Sequence, residues 1–235
     1  MKNDDKSNVP KVRIAVLGSD NVGKSALTVR YLTRRFIGEY RSNTDLLYKQ
    51  TISLDSAGLT EVEVVDISSE NENEFPMEQI QWADACMIVY SITDRSSFEY
   101  ASRSLAELKS IQNAPLAYLI ANKCELDHLR EVNETEGASL AATHSIGFCE
   151  ISVAENSPNL YKAFEKLLID SRARPVKHRK FSVTKMIGTL IGANNNGTKQ
   201  QLLINQGTVV PCHKGELHKS RVLKRRQAFT ATASL

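Results

Sequence analysis

Long apolar runs are what this 235-residue chain most plainly lacks. None approaches the ~18–20 residues needed to cross a bilayer, which excludes a membrane-spanning helix. The first residues, Met1-Lys2-Asn3-Asp4-Asp5-Lys6, carry no apolar stretch of a secretory signal. Cysteine is scarce too: Cys86, Cys124, Cys149 and Cys212 are scattered, two of them inside apolar segments that read as strands. A disulfide framework is therefore not expected, and a reducing, intracellular setting (cytoplasm, nucleus or both) is. Cys212-His213 with His218 has no second pair of ligands, so a loop with a free thiol is expected there rather than a metal site. The sequons at Asn133 and Asn196 carry no meaning in a chain that is not secreted.

Acid is nearly absent from the last quarter. Residues 171–235 hold 13 Lys and Arg but a single acid, Glu216, a net charge of +12. Residues 1–170 hold 17 basic and 26 acidic side chains, a net −9, so the overall +3 conceals an acidic body and a basic tail. Such a tail seeks an anionic surface. The body is not short of core material, since 41% of the chain is apolar.

Within the body, β-rich apolar runs alternate with helical periodicity. Residues 12–17, 47–54, 59–66, 85–90, 116–121 and 147–151 read as strands; 24–35, 96–112, 134–143 and 157–171 read as helices. Asp55-Ser56-Ala57-Gly58 is turn chemistry, so the second and third strands form an antiparallel hairpin. The rest predicts a mostly parallel, six-stranded α/β sheet with right-handed crossovers and helices on both faces.

Between the first strand and the first helix stands Gly18-Ser19-Asp20-Asn21-Val22-Gly23-Lys24-Ser25, a complete G-x-x-x-x-G-K-[ST] phosphate loop, followed by Ala26. The glycines let main-chain N–H groups turn inward around phosphate oxygens, and the helix start adds partial positive charge. Lys24 reaches the β- and γ-phosphates, and the Ser25 hydroxyl is a hard ligand for Mg²⁺. Asp66 ends the third strand, Asn122-Lys123-Cys124-Glu125 the fifth and Ser152-Val153-Ala154 the sixth, so all converge on the crevice at the strands' carboxyl ends.

The run Gly23-Lys24-Ser25-Ala26-Leu27-Thr28-Val29-Arg30, with Phe36, Glu39-Tyr40, Tyr48-Lys49-Gln50, Trp82-Ala83-Asp84-Ala85, Ser91-Ile92-Thr93-Asp94 and Glu150-Ile151-Ser152-Val153, resembles the Ras superfamily of small GTPases. Within it the chain is similar to the branch of Ras-like family member eleven and the estrogen-regulated growth inhibitors. The resemblance covers about residues 11–171 and implies a P-loop NTPase G domain over 9–171, after a disordered 1–8, binding GTP or GDP with Mg²⁺ as a monomer. It implies that Asn122 and Glu125 contact guanine, Lys123 lies along the nucleotide, Phe36 packs on the base and the Ala154 N–H meets the guanine carbonyl. Ser25, Thr44 and Asp66 would hold Mg²⁺, with Asn43 competing for Thr44's place because that loop is one residue short. Effectors and regulators would dock on the switch segments 38–50 and 67–81, the second of which is acidic.

Three departures fall at the chemistry. Glu125 stands where the family reads guanine with Asp, Ser69 where it has Gly, and Glu70 where it has the water-positioning Gln. A Glu70 carboxylate cannot donate to a γ-phosphate and repels it, and Asp20 adds a further negative charge, so slow hydrolysis is expected. Lys24 and the loop amides remain, so phosphate binding suffers less. Arg41 is a candidate cis arginine for the transition state. The rival reading is a pseudo-GTPase scaffold whose partners ignore the nucleotide; an adenine-nucleotide P-loop kinase is disfavoured by Asn122-Lys123.

The tail, 172–235, reads as largely flexible. Arg172, Arg174, Lys177, Arg179 and Lys180 precede Val183, Met186, Ile187, Leu190 and Ile191, a one-sided helical stripe over 182–191. That suits an anionic membrane surface or a protein groove. A second cluster, Lys219, Arg221, Lys224, Arg225 and Arg226, suits nuclear import or nucleic-acid backbone but lacks interleaved aromatics for base reading. No glycine follows Met1 and no cysteine stands four from Leu235, so no lipid anchor is expected.

Overall fold

The computed structural model describes residues 9–36, 45–54, 58–68, 74–174 and 208–212. Strand β1 (Lys11–Leu17) shows how the sheet is sandwiched. Val12, Ile14 and Val16 enter one apolar layer, Ala15 and Leu17 the other, as the two-residue strand period demands. After β1 come α1 (Lys24–Thr33), the hairpin β2 (Asp45–Leu54) and β3 (Gly58–Asp66), α2 (Met77–Trp82), β4 (Ala85–Ser91), α3 (Arg95–Ser110) and β5 (Leu116–Asn122). A 3-10 turn (Cys124–Leu129), α4 (Glu134–Thr143), β6 (Gly147–Glu150), α5 (Pro158–Ala173) and β7 (Thr208–Cys212) follow.

The sheet order is β6-β5-β4-β1-β3-β2-β7. The pairs β6–β5, β5–β4, β4–β1 and β1–β3 are parallel, while β2 runs antiparallel to both β3 and β7. Helices α1 and α5 cover one face: Leu27 and Tyr31 meet Leu160, Phe164 and Leu168, and the Tyr31 and Phe164 rings stack at 3.8 Å and 6°. Helices α2, α3 and α4 cover the other through Ile80, Trp82, Leu105, Leu108 and Ala141. All seven residues of β4 are buried, which accounts for its unbroken apolar sequence and for the inert, buried Cys86 thiol. Phe164 is fully buried, and truncating such a side chain to Ala costs about 3–5 kcal/mol.

The six expected strands and the hairpin are all present, with boundaries shifted by a residue or two. The differences have physical causes. A seventh strand, β7, comes from the stretch read as tail, and Cys212 ends it rather than sitting in a loop. Helix α5 runs on to Ala173, so Arg172 and Arg174 belong to the body: Arg172 Nη1 donates to Thr60 Oγ1 at 3.1 Å and Arg174 Nη1 to the Ala114 carbonyl at 3.2 Å. Two charges assigned to a free basic run are therefore spent on internal hydrogen bonds. The acidic segment 67–81 is not all solvated, since Ile67 and, within α2, Gln79 and Ile80 are buried. The stripe at 182–191, the second basic cluster and residues 1–8 lie outside the described residues.

Candidate functional site

The loop over residues 18–25 joins β1 to α1, with positive φ at Asn21 (57°) and Gly23 (96°). Those two turns curl the chain so that successive N–H groups face inward, the geometry that cradles an anion. Both glycines stand where the backbone is crowded: a Cβ on Gly18 would collide with the Val89 carbonyl, and one on Gly23 with Asn122 Nδ2. Lys24 is buried, and its Nζ donates to the carbonyls of Gly18 (3.0 Å) and Ser19 (2.7 Å), folded back over the loop it serves.

At the end of β3, Asp66 is 4% exposed and accepts from the Ser25 hydroxyl. Burial pushes its carboxyl up to about 6, helped by the nearby Asp45 charge and opposed by the Ser25 hydrogen bond and Lys24. Its Oδ1 is buried without a hydrogen-bond partner among the described residues. A hydroxyl and a desolvated carboxylate side by side are hard oxygen donors short of a cation, so these residues fit Mg²⁺, which keeps most of its shell as water and phosphate oxygen.

The other end of the crevice is organised by Asn122, which is 3% exposed. Its Nδ2 donates to the Val22 carbonyl in the phosphate loop at 2.8 Å, and its Oδ1 accepts from the Val153 N–H at 3.0 Å. One amide side chain thus bolts the phosphate loop to the segment after β6. In that segment Ser152 Oγ accepts the Glu155 N–H at 2.9 Å. Arg30 on α1 closes it from the far side, donating from Nε to the Val153 carbonyl (3.0 Å) and from Nη2 to the Ala154 carbonyl (2.7 Å). The same guanidinium lies 5.6 Å from the Phe36 ring centroid, and Phe36 is 45% exposed, so it is not a core residue. Lys123 takes a left-handed backbone (φ 69°) at the start of the 3-10 turn. Glu125, in that turn, has Oε2 buried and without partner.

A Ras family model matches residues 13–172. The chain belongs to the Ras family. It is 36% identical over 191 residues to the Ras-related and estrogen-regulated growth inhibitor-like protein of Bos taurus, covering 77% of this chain and 93% of that protein. It is 39% identical over 165 residues to Ras-like protein family member 11B of Xenopus laevis, 66% of each chain. It is 35% identical over 167 residues to the Ras-related and estrogen-regulated growth inhibitor of Bos taurus, 70% of this chain and 83% of that one. Ras-family proteins bind GTP and GDP, and this chain is a Ras-like small GTPase in family terms.

For a Ras-family chain, the structure brings Gly18, Ser19, Asp20, Asn21, Val22, Gly23, Lys24, Ser25 and Ala26 together with Asp66 at one end of the site. Asn122, Lys123, Glu125, Ser152, Val153, Ala154 and Phe36 gather toward the other. Ser19 Oγ is buried and unpartnered, and Asp20 Oδ2 accepts from Asn21 Nδ2 at 3.2 Å in an exposed position. Arg41, Asn43, Thr44, Ser69 and Glu70 lie outside the described residues. Two groups escaped sequence reasoning. Arg30 is one. The other is Asp45, whose Oδ1 accepts the Ser68 N–H at 2.8 Å while its Oδ2 accepts from Gln79 Nε2 at 2.6 Å. It ties the start of β2 to the segment after β3 and to α2. Neither carries a sequence signal, because a charged residue on a helix or at a strand end is the common solvated case.

Proposed function

We propose that the chain is a guanine-nucleotide switch that binds GTP or GDP with Mg²⁺ and hydrolyses GTP slowly. The observation that carries this reading is the pair of buried, unpartnered carboxylate oxygens, Asp66 Oδ1 at the phosphate end and Glu125 Oε2 at the base end. The first lacks a cation and the second lacks N–H donors, which are the two things a magnesium guanine nucleotide supplies. In this reading Lys24 and the loop amides take the β- and γ-phosphates. Ser25 and Thr44 ligate the metal beside Asp66, Asn122 and Glu125 face the guanine edge, Phe36 packs on the base, and the Ala154 N–H meets the guanine carbonyl. Slow turnover follows from Asp20, Ser69 and Glu70, which place negative charge or a misfit backbone where the transition state needs donors. Effectors engage 38–50 and 67–81, and the basic tail contacts an anionic membrane surface or nuclear nucleic acid, inside the cell.

Extraction of nucleotide from the purified full chain, followed by chromatography, tests this directly. GDP or GTP is expected at close to one per chain, with single-turnover hydrolysis far below that of other family members. An empty chain that also gives no calorimetric heat with GTP, GDP or ATP at millimolar Mg²⁺ refutes the reading.

One observation favours the scaffold alternative. Asp45 holds Ser68 and Gln79 through protein hydrogen bonds alone, a tie between the two switch segments that needs no phosphate oxygen as a partner. Equal partner affinity for the GDP and GTP-analogue forms selects that alternative.

A further inference from the structure

The outermost strand of the sheet is supplied from 34 residues beyond the last helix. Thr208–Cys212 pairs antiparallel with Asp45–Lys49, in the register Asp45↔Cys212, Leu46↔Pro211, Leu47↔Val210, Tyr48↔Val209 and Lys49↔Thr208. Residues 175–207 lie between, a length at which each doubling costs only about 0.6 kcal/mol in closure entropy. Without β7, the ten residues of β2 would form one rim of the sheet, a row of unpaired N–H and C=O groups open to any extended chain.

β7 takes the half of β2 that leads out of the segment carrying Thr44, Asp45–Lys49. Proline inside a strand is compatible with an edge and not with a central position, so Pro211 marks β7 as the end of the sheet rather than a base for an eighth strand. The pairing also reaches a residue the site depends on. Asp45 is both the rung opposite Cys212 and the carboxylate that holds Ser68 and Gln79.

We propose that the chain holds its own β2 edge in cis. Residues 208–212 occupy the rim over Asp45–Lys49, and a protein partner that adds an extended strand there must first displace them. The tail is thereby a built-in competitor, present at the high effective concentration of a tethered segment. A segment docked for nine-tenths of the time lowers a partner's apparent affinity about tenfold, and one docked for ninety-nine hundredths about a hundredfold. This inference does not depend on nucleotide binding; its readouts are made on the chain alone, so either can fail without the other.

The test uses the full chain and a Val209→Pro/Val210→Pro variant, which removes two adjacent N–H donors whichever of them faces β2. In hydrogen exchange, the alternate amides of Asp45–Lys49 that face β7 are expected to exchange at least about tenfold faster in the variant, while those that face β3 and those of β4 stay protected in both. A fluorescent peptide of residues 206–213, standing in for a partner strand, is expected to bind the variant at least about tenfold more tightly than the parent. Equal β2 exchange with β4 protection intact, or equal peptide affinity, overturns the proposal. A second measurement avoids the prolines altogether. In the full-length Lys49→Cys/Thr208→Cys variant the new cysteines are opposite in register, within reach of a disulfide. Mild oxidation is expected to link positions 49 and 208, as read by peptide mapping, and failure to find that link overturns the proposal.

Discussion

Replacing Gly23 with Ala separates two costs that usually arrive together. Gly23 has φ 96° and stands against Asn122 Nδ2; Gly58 has φ 68° and, among the described residues, nothing within 4 Å of the added Cβ. Both substitutions force an L residue into left-handed backbone, at about 1–2 kcal/mol. Only Gly23→Ala must also move Asn122, and that side chain is not free to move: one end is fixed by the Val22 carbonyl and the other by the Val153 N–H. Breaking either contact leaves a buried polar group unsatisfied, worth about 1–3 kcal/mol. Gly58→Ala is therefore expected to lose about 1–2 kcal/mol and Gly23→Ala about 2–5 kcal/mol, at about 2–4 °C of Tm per kcal/mol for a domain this size. Thermal melts of both variants in EDTA with nucleotide removed make the comparison. Equal Tm values for the two would refute the argument, because the Asn122 bolt would then contribute nothing.

Three further outcomes follow from the same geometry. Arg30→Ala removes both donors that hold the Val153 and Ala154 carbonyls, so nucleotide dissociation should quicken about ten- to a hundredfold for the loss of 1.5–3 kcal/mol; stopped-flow displacement of a fluorescent GDP analogue reads it, and a change under twofold rejects the clamp. Burial pushes the Asp66 carboxyl up to about 6 from 3.8, so its ionisation opposes folding. That penalty is absent below 3.8, grows as pH rises to 6 and is complete above it; in EDTA, Asp66→Asn should melt above the parent at pH 7.5, with the advantage vanishing near pH 4, and should lose the extra stability that Mg²⁺ gives the nucleotide-loaded parent. If Glu125 faces the base as proposed, Glu125→Gln offers an N–H₂ group in place of a carboxylate oxygen, and calorimetry should show guanine nucleotide bound about ten- to a hundredfold more weakly with no loss of Tm in the nucleotide-free chain.

What the sequence discloses and what it conceals divide by the range of the interaction involved. β4 is legible because a strand buried on both faces needs an unbroken apolar run, β1 and β5 because most of theirs is apolar, and the phosphate loop because its residue types are dictated by contact with phosphate. The hairpin is legible from four turn residues. Helix α2 is not: six residues after Pro76 are too few to show a period, and its buried face is set by β1 and β3 rather than by its own pattern. β7 is hidden for a similar reason. Five residues containing a proline, after a long polar stretch, argue against a strand, and only a partner more than 150 positions earlier makes them one. Arg30 and Asp45 are opaque individually, since what distinguishes them from solvated charges is the carbonyls and amides that the fold delivers to them.

These ranges bear on why the family's chemistry can erode here without the fold following. The contacts that hold the site are made within the protein: Lys24 to its own loop, Asn122 to Val22 and Val153, Arg30 to Val153 and Ala154. Asp20 Oδ2 accepts from Asn21 Nδ2 in an exposed position. On the proposed reading, Asp20, Ser69 and Glu70 act on the transition state of hydrolysis rather than on these contacts. An interaction made only in the transition state can be lost at no cost to ground-state binding. On the same reading Glu125 and the Asp45 tie act on the ground state, one on which base is held and the other on how freely the segments around Ser68 and Gln79 part, so they bear on occupancy and partner choice rather than rate.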